Sequence, residues 1–472
     1  MRTLVVLPLL LAACGEVDPV RHLDGGMIDS PEMIDAPVTP QPVTLTIMRA
    51  GLPQVGIVVH FQNADSTLVA TAMTDATGTA SQIMNAGGYV TAIDPFATAS
   101  GQVQYPVRTF AGVKPGDHLR LVADDGTAFV MTATLPLETD PAINHYYVHS
   151  SCGDSYLGSA GSGNTPSGNA YFYDCGATTD FLVTAEDGNF NVLSSFFVAG
   201  QAVSSGGTLD FSTKTFTAPT ARTYTFSNVP NGASVTVRDH LASTKGELIE
   251  VGGDVSGDPA TGTLNVPAFA NAVSIVEGQV YDSLTIHSSV DWGPVTSTFS
   301  VADYSARMLV GFESTPAFDA TTHKITWTAT SGVAPDFTYA RGRVYRQAFG
   351  REIDWQLVAP YTAGTVTYPV VPAGTTDINF TASDSVSLEV GHVKLPPGGY
   401  DAVRANVFVA DGPIGLVTTA TGTAQLALSS NNLARTIKQP SRWFSHRASS
   451  ADAELATPAR PSMKQTLSGR RR

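Results

Sequence analysis

The fold is decided by a stretch that opens with Val43-Thr44-Leu45-Thr46-Ile47. Apolar and hydroxyl-bearing residues alternate there with a period of two, which is the pattern of a half-buried β-strand. Six more runs of similar composition follow, and clusters of Gly, Asp and Pro separate them. Short β-branched and aromatic runs divided by turn signals at this spacing predict a β-sandwich. The seven predicted strands are 43–47, 56–61, 67–74, 88–93, 107–113, 118–122 and 128–135.

The rest of the chain continues in the same style up to residue 430. Short runs such as Val192–Val198 and Trp355–Val358 are rich in β-branched and aromatic residues, and Asn231-Gly232 is a strong turn signal. We therefore predict an all-β fold of tandem β-sandwich domains. The predicted units are a sandwich at 43–137, a second β domain at 138–272 and a third β region at 273–430, of one or two domains.

Composition and charge narrow the class of protein. The chain has 472 residues, of which 43% are hydrophobic and only 14% are charged. This supplies enough apolar material for cores and too little charge for a typical disordered chain. The formal net charge of −14 argues against a nucleic-acid partner, because binding to a phosphate backbone needs a basic surface.

Three segments of the first predicted sandwich carry a family resemblance. They are Pro53–Phe61, Thr74–Ala80 and Gly87–Ala92. The region resembles bacterial immunoglobulin-like domains, and Thr74–Ala80 resembles the turn of adhesin-type and carboxypeptidase-regulatory-type modules. In such a turn the Asp bonds the backbone and the Gly adopts a positive φ. The resemblance implies an immunoglobulin-like β-sandwich that acts as a spacer, stalk or binding domain.

The amino-terminal residues have the features of a secretion signal. Arg2 precedes the apolar run 4–11, which is far shorter than the about 20 residues that a membrane-spanning helix needs. The run ends in Leu11-Ala12-Ala13-Cys14-Gly15, which resembles the lipobox of bacterial lipoproteins. The resemblance implies that a signal peptide, 1–13, is removed and that Cys14 carries palmitate and other acyl chains that anchor the chain in a membrane.

The residue after the lipobox cysteine indicates in which membrane the lipid anchors the chain. In lipoprotein families an Asp there retains the protein in the inner membrane, whereas Gly15 stands here, so the resemblance implies the cell outer membrane.

Residues 14–42 form an acidic, Pro- and Gly-rich linker without helical or strand periodicity, which predicts a flexible tether. At the other end, residues 431–472 contain nine Lys/Arg and two Asp/Glu. Their composition predicts a disordered basic tail.

Cysteine usage agrees with an extracytoplasmic location. Apart from Cys14, the sequence contains only Cys152 and Cys175, and an oxidising compartment favours a disulfide between them. A metal site is the alternative, because His145, His149 and Asp154 lie close by in sequence. However, two strand residues four positions apart are about 13 Å apart, too far for one ion. We expect no metal and no cofactor.

The sequence shows no convincing catalytic motif. Zinc-protease, phosphate-loop and dinucleotide patterns are absent from it. Gly153-Asp154-Ser155 has a faint similarity to the nucleophile block of GDSL-type hydrolases, but no Asp-x-x-His block follows it. Two acidic turns, 124–126 and 186–189, offer oxygen ligands for calcium, although neither matches an EF-hand loop. The prediction is that no residue is catalytic.

One segment has the composition of a ligand-binding surface. In an extended strand Tyr339, Arg341, Arg343 and Tyr345 fall on one face, and Trp355 follows shortly after. Aromatic rings beside guanidinium groups stack on sugars or hold anions. The alternative interpretation is an amphipathic strand pair with Trp355 in the core.

Together these features predict a non-enzymatic lipoprotein of the outer membrane, exposed to the periplasm or at the surface, that serves as a structural or binding module. Its partners would be the membrane, through the lipid, and a cell-surface glycan or protein. Two alternatives remain. One is an extracellular carbohydrate-binding adhesin, and the other is a hydrolase with an unrecognised site in residues 140–428.

Overall fold

The computed structural model consists almost entirely of β-strands joined by short turns. It confirms the predicted all-β fold with several sheets. The predicted signal peptide, Cys14, most of the linker and the basic tail lie outside the described residues. The structure describes residues 41–49, 52–97, 102–122, 128–159, 166–173, 177–230, 233–243, 246–282, 284–347, 350–372, 377–395, 399–405, 407–409 and 422–430.

The first strands form two sheets that pack face to face. β1 pairs with β5 and β9, while β3, β4, β6 and β8 belong to a second sheet. Val43, Leu45 and Ile47 of β1 are fully buried and share one core with Val59 and Phe61 of β3. The predicted alternation of β1 and the predicted packing of two sheets are both confirmed. The strands are β1 (Pro42–Arg49), β2 (Leu52–Pro53), β3 (Val58–Gln62), β4 (Leu68–Met73), β5 (Thr79–Ile83), β6 (Gly88–Ile93), β7 (Phe96–Ala97), β8 (Val103–Val113) and β9 (His118–Val122).

The turn between β4 and β5 has the predicted chemistry. The carboxylate of Asp75 accepts hydrogen bonds from the backbone N–H of Thr77 at 2.8 Å and of Thr79 at 3.1 Å. Gly78 has a φ of +74°, and a Cβ atom there would lie 2.6 Å from the carbonyl oxygen of Ile47. The positive φ and the close approach both require glycine at this position.

The next strands enclose a core rich in phenylalanine. One sheet has the order β13-β10-β16 and the other β12-β11-β14-β15. Phe172 lies 5.3 Å from Phe181 between ring centroids, and Phe196 lies 5.7 Å from Phe211. Both contacts are edge-to-face, which is a favoured geometry for aromatic pairs. The strands are β10 (Ala128–Thr134), β11 (His145–Ser150), β12 (Gly153–Ser159), β13 (Ser167–Tyr173), β14 (Thr178–Glu186), β15 (Val192–Ala202) and β16 (Thr208–Asp210).

β30 runs parallel to β9 in the sheet of β1, whereas most of the remaining strands belong to one sheet of 16 strands. Its order is β23-β17-β20-β19-β18-β21-β22-β31-β29-β26-β27-β8-β6-β3-β4, with β7 beside β8. A separate small sheet has the order β24-β25-β28. The strands are β17 (Thr220–Phe226), β18 (Val235–Ser243), β19 (Gly246–Gly257), β20 (Ala260–Val266), β21 (Val273–Asp282), β22 (Thr285–Pro294), β23 (Thr298–Val301), β24 (Ala317–Asp319), β25 (Lys324–Thr326), β26 (Phe337–Arg346), β27 (Arg351–Pro360), β28 (Thr365–Thr367), β29 (Ser387–Lys394), β30 (Val407–Val409) and β31 (Gly422–Ser430).

Hydrogen-bonded pairs cross the domain boundaries predicted from the sequence. β8 runs parallel to β27, although the two strands lie in the first and third predicted units. β10, assigned to the first unit, pairs with β13. The boundaries 43–137, 138–272 and 273–430 stay predictions, and the pairing between β8 and β27 is what brings together the residues of the candidate site.

Helical structure is sparse in the described part of the chain. A short helix, α1 (Gly399–Ala405), lies beside β9 and β30, and a 3₁₀ turn covers Ser305–Arg307. Within the described ranges, neither is long and apolar enough to traverse a lipid bilayer.

Candidate functional site

The predicted ligand-binding residues lie on β26 and β27, which form an antiparallel pair. Tyr339 and Trp355 are 1% and 0% exposed, so neither ring is available to a ligand. The indole N–H of Trp355 donates to the hydroxyl of Thr109 at 2.9 Å. The alternative interpretation, with Trp355 in the core, therefore describes this strand pair, and the five predicted residues do not form one surface.

The two arginines of the prediction lie in a cluster around one carboxylate. Arg341 binds Asp354 with both ends of its guanidinium group, at 2.8 and 2.7 Å. Nη2 of Arg108 lies 3.8 Å from Asp354, and Nε of Arg343 lies 4.0 Å away. Glu389 stands opposite Arg341 on β29. We call these five residues the arginine–aspartate cluster.

The cluster holds its central carboxylate ionised. Burial alone raises the pKa of Asp354, but the positive charges of Arg341 and Arg108 outweigh burial and keep this pKa well below its usual range. Burial raises the pKa of Glu389, and Arg341 and Arg343 lower it only in part. Asp354 therefore serves as a counter-ion that fixes the guanidinium groups.

Two predicted residues keep an accessible side chain. The side chain of Arg343 is 33% exposed, and Tyr345 is 54% exposed. They lie on the same strand two positions apart, on one face of β26. A guanidinium group beside a phenol ring at the surface is suited to a sugar or an anion. Ligand binding by these two residues stays a prediction.

Sequence reasoning missed Arg108 and Glu389. Both come from strands far away in sequence, β8 and β29, and reach the cluster only through the pairings β8–β27 and β26–β29. The local sequence of a strand does not indicate which distant strand it pairs with, or in which register. Arg108 is the one charged residue of β8, which marks it as a charge that needs a buried partner.

A second polar network lies around His149. Its Nδ1 is 3.0 Å from a carboxylate oxygen of Asp154, and its Nε2 is 2.9 Å from the hydroxyl oxygen of Thr184. The Thr184 hydroxyl donates to Glu186 at 2.7 Å. Acid, imidazole and hydroxyl thus stand in the order of a hydrolase triad.

This network differs from a working catalytic triad in the direction of its hydrogen bonds and in its burial. A nucleophilic hydroxyl must donate its hydrogen to the imidazole and face a substrate, but Thr184 gives its hydrogen to Glu186. His149, Thr184 and Glu186 are all 0% exposed. The network therefore satisfies buried polar groups inside the sheet.

Other candidate residues also bond within the protein. The hydroxyl of Ser155, 2% exposed, accepts from the backbone N–H of Tyr171 at 2.6 Å and donates to its carbonyl oxygen at 3.0 Å. The ring of His145 stacks on Phe190. The carboxylate of Asp187 accepts from backbone N–H groups of its own turn. Residues 124–126, the other acidic turn, lie outside the described residues. Among those that are described, no group of three or more side chains is arranged to hold a metal ion.

Cys152 is buried in the phenylalanine-rich core, and its sulfur lies 3.2 Å from the hydroxyl oxygen of Ser150. Its predicted partner, Cys175, lies outside the described residues. The disulfide between them stays a prediction.

A third network surrounds His240. Its Nδ1 lies 3.1 Å from Glu247 and 3.9 Å from Glu250. Burial alone lowers the pKa of His240, but Glu247, Glu250 and Glu277 outweigh it and raise this pKa to about 9. Arg238 lies 3.9 Å from Glu250 and is the neighbouring cation.

This raised pKa predicts a pH-dependent stability. The folded protein binds the proton of His240 more tightly than the unfolded chain, whose histidine has a pKa near 6.5. The stabilisation is complete below about pH 6.5 and disappears as the pH rises through 9. We expect the group to contribute up to about 3 kcal/mol to the free energy of unfolding. Urea unfolding at pH 6 and pH 10 measures the loss.

The matched variant for this prediction is His240→Gln, which removes the titrating ring. The difference in stability between the two pH values should shrink by the contribution of His240. An equal pH dependence in the variant and the natural chain would show that the ring does not carry the effect.

Comparisons with known proteins reveal no family. No model of a protein family matches the chain, and no curated protein does. Among solved structures, the Bacillus anthracis TIE protein is 11% identical with a TM-score of 0.15, over 56% of this chain and 50% of that one. A tetra-tandem repeat from the extending region of a large adhesion protein is 13% identical with a TM-score of 0.13, over 74% and 95%. A streptococcal ancillary pilin is 9% identical with a TM-score of 0.14, over 56% and 98%.

The chain thus spans about half the length of the first of these structures. Likenesses at these TM-scores carry no argument about the function of this chain.

Proposed function

We propose that the chain is a non-enzymatic lipoprotein of the outer membrane, whose β-sheet body serves as a structural or binding module. Cys14 would carry the lipid, and residues 14–42 would separate the body from the membrane. The lipobox pattern Leu11-Ala12-Ala13-Cys14 supports the anchor. Several acyl chains hold a protein durably, because each buried CH₂ contributes about 0.8 kcal/mol.

The observation that carries the non-enzymatic role is the state of the polar networks. The hydrolase alternative requires a hydroxyl–histidine pair or two facing carboxylates open to a substrate. The hydroxyl–histidine pair formed by Thr184 and His149 is fully buried, with the hydroxyl hydrogen committed to Glu186. Asp354, the centre of the arginine–aspartate cluster, is neutralised by arginines. These arrangements support a role for both groups in stabilising the sheets.

The proposed disulfide between Cys152 and Cys175 fits the same extracytoplasmic location. It would close a loop of about two dozen residues and contribute on the order of 3 kcal/mol by restricting the unfolded chain. The burial of Cys152 would protect the bond from reductants.

Cell fractionation of a Cys14→Ser variant tests the anchor. We expect the natural chain to sediment with outer membranes and the variant to leave them, because a serine hydroxyl does not accept the diacylglycerol. The matched control is Cys152→Ser, which changes another cysteine and should leave the membrane association intact. A Cys14→Ser chain that still sediments with the membrane would contradict the proposal.

Glycan binding is the second candidate function, and the accessible pair Arg343 and Tyr345 favours it. A glycan array probed with the natural chain, Arg343→Ala and Tyr345→Ala addresses it. Binding that disappears in both variants would support this surface. Binding that both variants retain would place the glycan elsewhere on the chain.

A further inference from the structure

One strand joins the two halves of the large sheet. β31 lies between β22 and β29 and pairs antiparallel with both. In the described part of the chain, the hydrogen-bonded order of this sheet passes from one half to the other only through β31. A change that weakens the pairing of β31 therefore weakens the junction between the halves.

Two histidines face each other across this strand. His287 on β22 and His392 on β29 both stand opposite Ala427 of β31, so their side chains lie on the same face of the sheet. His287 is 4% exposed and His392 is 0% exposed. Ala427 contributes only a methyl group between them. We call His287 and His392 the histidine pair.

A segment of four residues, 309–312, covers the histidine pair, and we call it the strap. Nδ1 of His392 lies 2.7 Å from the carbonyl oxygen of Val310. The ring of Phe312 stacks on His392 with 4.5 Å between the centroids. A Cβ atom on Gly311 would lie 3.3 Å from a ring carbon of His287. The strap therefore lies against both rings.

Each ring of the pair has a buried nitrogen without a partner. A carbonyl oxygen only accepts, so Nδ1 of His392 carries the hydrogen of the neutral ring and Nε2 is its basic nitrogen. Among the described residues, neither Nε2 of His392 nor Nδ1 of His287 has a hydrogen-bond partner. In a protonated imidazole both nitrogens are donors. Protonation of either ring therefore leaves a buried N–H without an acceptor next to a buried charge, which is costly.

Burial and mutual repulsion keep both rings neutral near pH 7. Burial lowers the pKa of His287 to about 4, where Asp282 raises it in part and His392 lowers it further. Burial also lowers the pKa of His392 to about 4, although the hydrogen bond to Val310 raises it in part. The two rings thus disfavour protonation of each other.

Other titratable groups near the histidine pair do not compensate for an added proton. The carboxylates among them each have a cation as partner, and burial raises the pKa of the phenols, which stay neutral in acid. These groups are the ion pairs Asp291–Arg307 at 2.5 Å and Asp336–Lys394 at 3.7 Å, and the phenols Tyr304 and Tyr361.

We propose that the histidine pair is a pH-sensitive switch: when both rings take up a proton from solvent, the strap and β31 separate from the sheet. Two like charges that face each other across one alanine repel, and opening transfers both rings to water. This inference goes beyond the proposed function and requires neither the lipid anchor nor the Arg343–Tyr345 pair.

The direction of the pH dependence follows from the two states. In the open state the rings have the ordinary pKa of a histidine, near 6.5, whereas in the closed state their pKa is about 4. The open state therefore binds more protons between these values. The closed state has its full stability above about pH 6.5 and loses it as the pH falls through 4.

Hydrogen exchange of the full chain, measured by mass spectrometry at pH 7.0 and pH 4.5, tests the switch. After correction for the intrinsic exchange rate at each pH, peptides that cover residues 305–315 and 422–430 should exchange at least about tenfold faster at pH 4.5. β20 lies four positions from β22 in the order of the same sheet, and it should keep its protection.

Matched variants replace the titrating rings with neutral side chains. His392→Asn retains an N–H for the carbonyl oxygen of Val310, and His287→Gln retains a polar side chain. The double variant should exchange equally at both pH values. His118→Asn is the control, because His118 is exposed and lies in another sheet. It should respond to acid as the natural chain does.

Histidine-selective NMR on the natural chain gives a measurement that does not depend on the folding of the double variant. The rings of His287 and His392 should titrate near pH 4. Three results would each overturn the inference: equal corrected exchange of the two segments at both pH values, an acid response that the double variant retains, or titration of both rings near pH 6.5.

Discussion

The free energy of unfolding should fall by about 3–5 kcal/mol when Trp355 is replaced with alanine. Trp355 is 0% exposed, and its ring centre lies 5.0 Å from that of Tyr368 and 5.7 Å from that of Phe380. The variant loses apolar burial, leaves a cavity and removes the hydrogen bond to Thr109. Guanidinium-chloride unfolding, followed by circular dichroism, measures the change.

Tyr345→Ala is the control for this prediction. It removes another aromatic side chain from the same strand pair, but Tyr345 is 54% exposed, so the cost should stay within about 0.5 kcal/mol. If Trp355→Ala were as mild as Tyr345→Ala, the placement of Trp355 in the core would be contradicted, and a role at the surface would return.

Asp239→Ala should destabilise the chain by a similar amount, about 3–5 kcal/mol, for a different reason. Asp239 is 0% exposed and accepts hydrogen bonds from Arg222 at 2.5 Å, from the Tyr224 hydroxyl at 2.6 Å and from Ser274 at 2.6 Å. Its removal leaves the positive charge of Arg222 buried without a counter-ion. Chemical denaturation at neutral pH gives the difference.

A double variant separates the ion pair from the cavity that the substitution creates. Asp239→Leu combined with Arg222→Met replaces both charges with apolar side chains and should cost much less than Asp239→Ala alone. Asp254→Ala, an exposed carboxylate on the neighbouring strand β19, should cost less than about 1 kcal/mol. A double variant as unstable as the single one would show that packing, and not charge, dominates at this position.

The alternation of buried and exposed residues along single strands could be predicted from the sequence, in addition to the fold class. Val43, Leu45 and Ile47 face the core as their spacing predicts. The same rule also indicates the buried ion pair of Arg222 with Asp239, a signal that sequence reasoning did not use. Arg222 shares its parity with the buried aromatics Tyr224 and Phe226, and a charged residue at an inward position marks a buried partner or a site.

Strands with few apolar residues could not be predicted, and neither could the pairing of strands that lie far apart in the sequence. β5 was missed because Thr79–Ile83 is mostly polar and only Ala80 is buried in the core. The parallel pairing of β8 with β27 joins residues about 250 positions apart. Backbone hydrogen bonds are the same for every sequence, so they do not indicate which distant strand pairs with β8.

Alternation also identifies the face of a strand without showing what covers that face. Tyr339, Arg341, Arg343 and Tyr345 share one face of β26, as predicted. Along that face the surroundings change from core at Tyr339, through ion pairs at Arg341, to solvent at Tyr345. The elements that cover this face come from distant parts of the chain. Of the four predicted residues on it, only Arg343 and Tyr345 therefore remain accessible.

We propose that a lipid on Cys14 anchors a β-sheet body outside the cytoplasm. Mass spectrometry of the amino-terminal peptide, from the chain purified out of bacterial membranes, measures this modification. We expect a peptide that begins at Cys14 and carries the added mass of diacylglycerol on the sulfur. An unmodified peptide that still contains Met1 or residues 2–13 would contradict the claim.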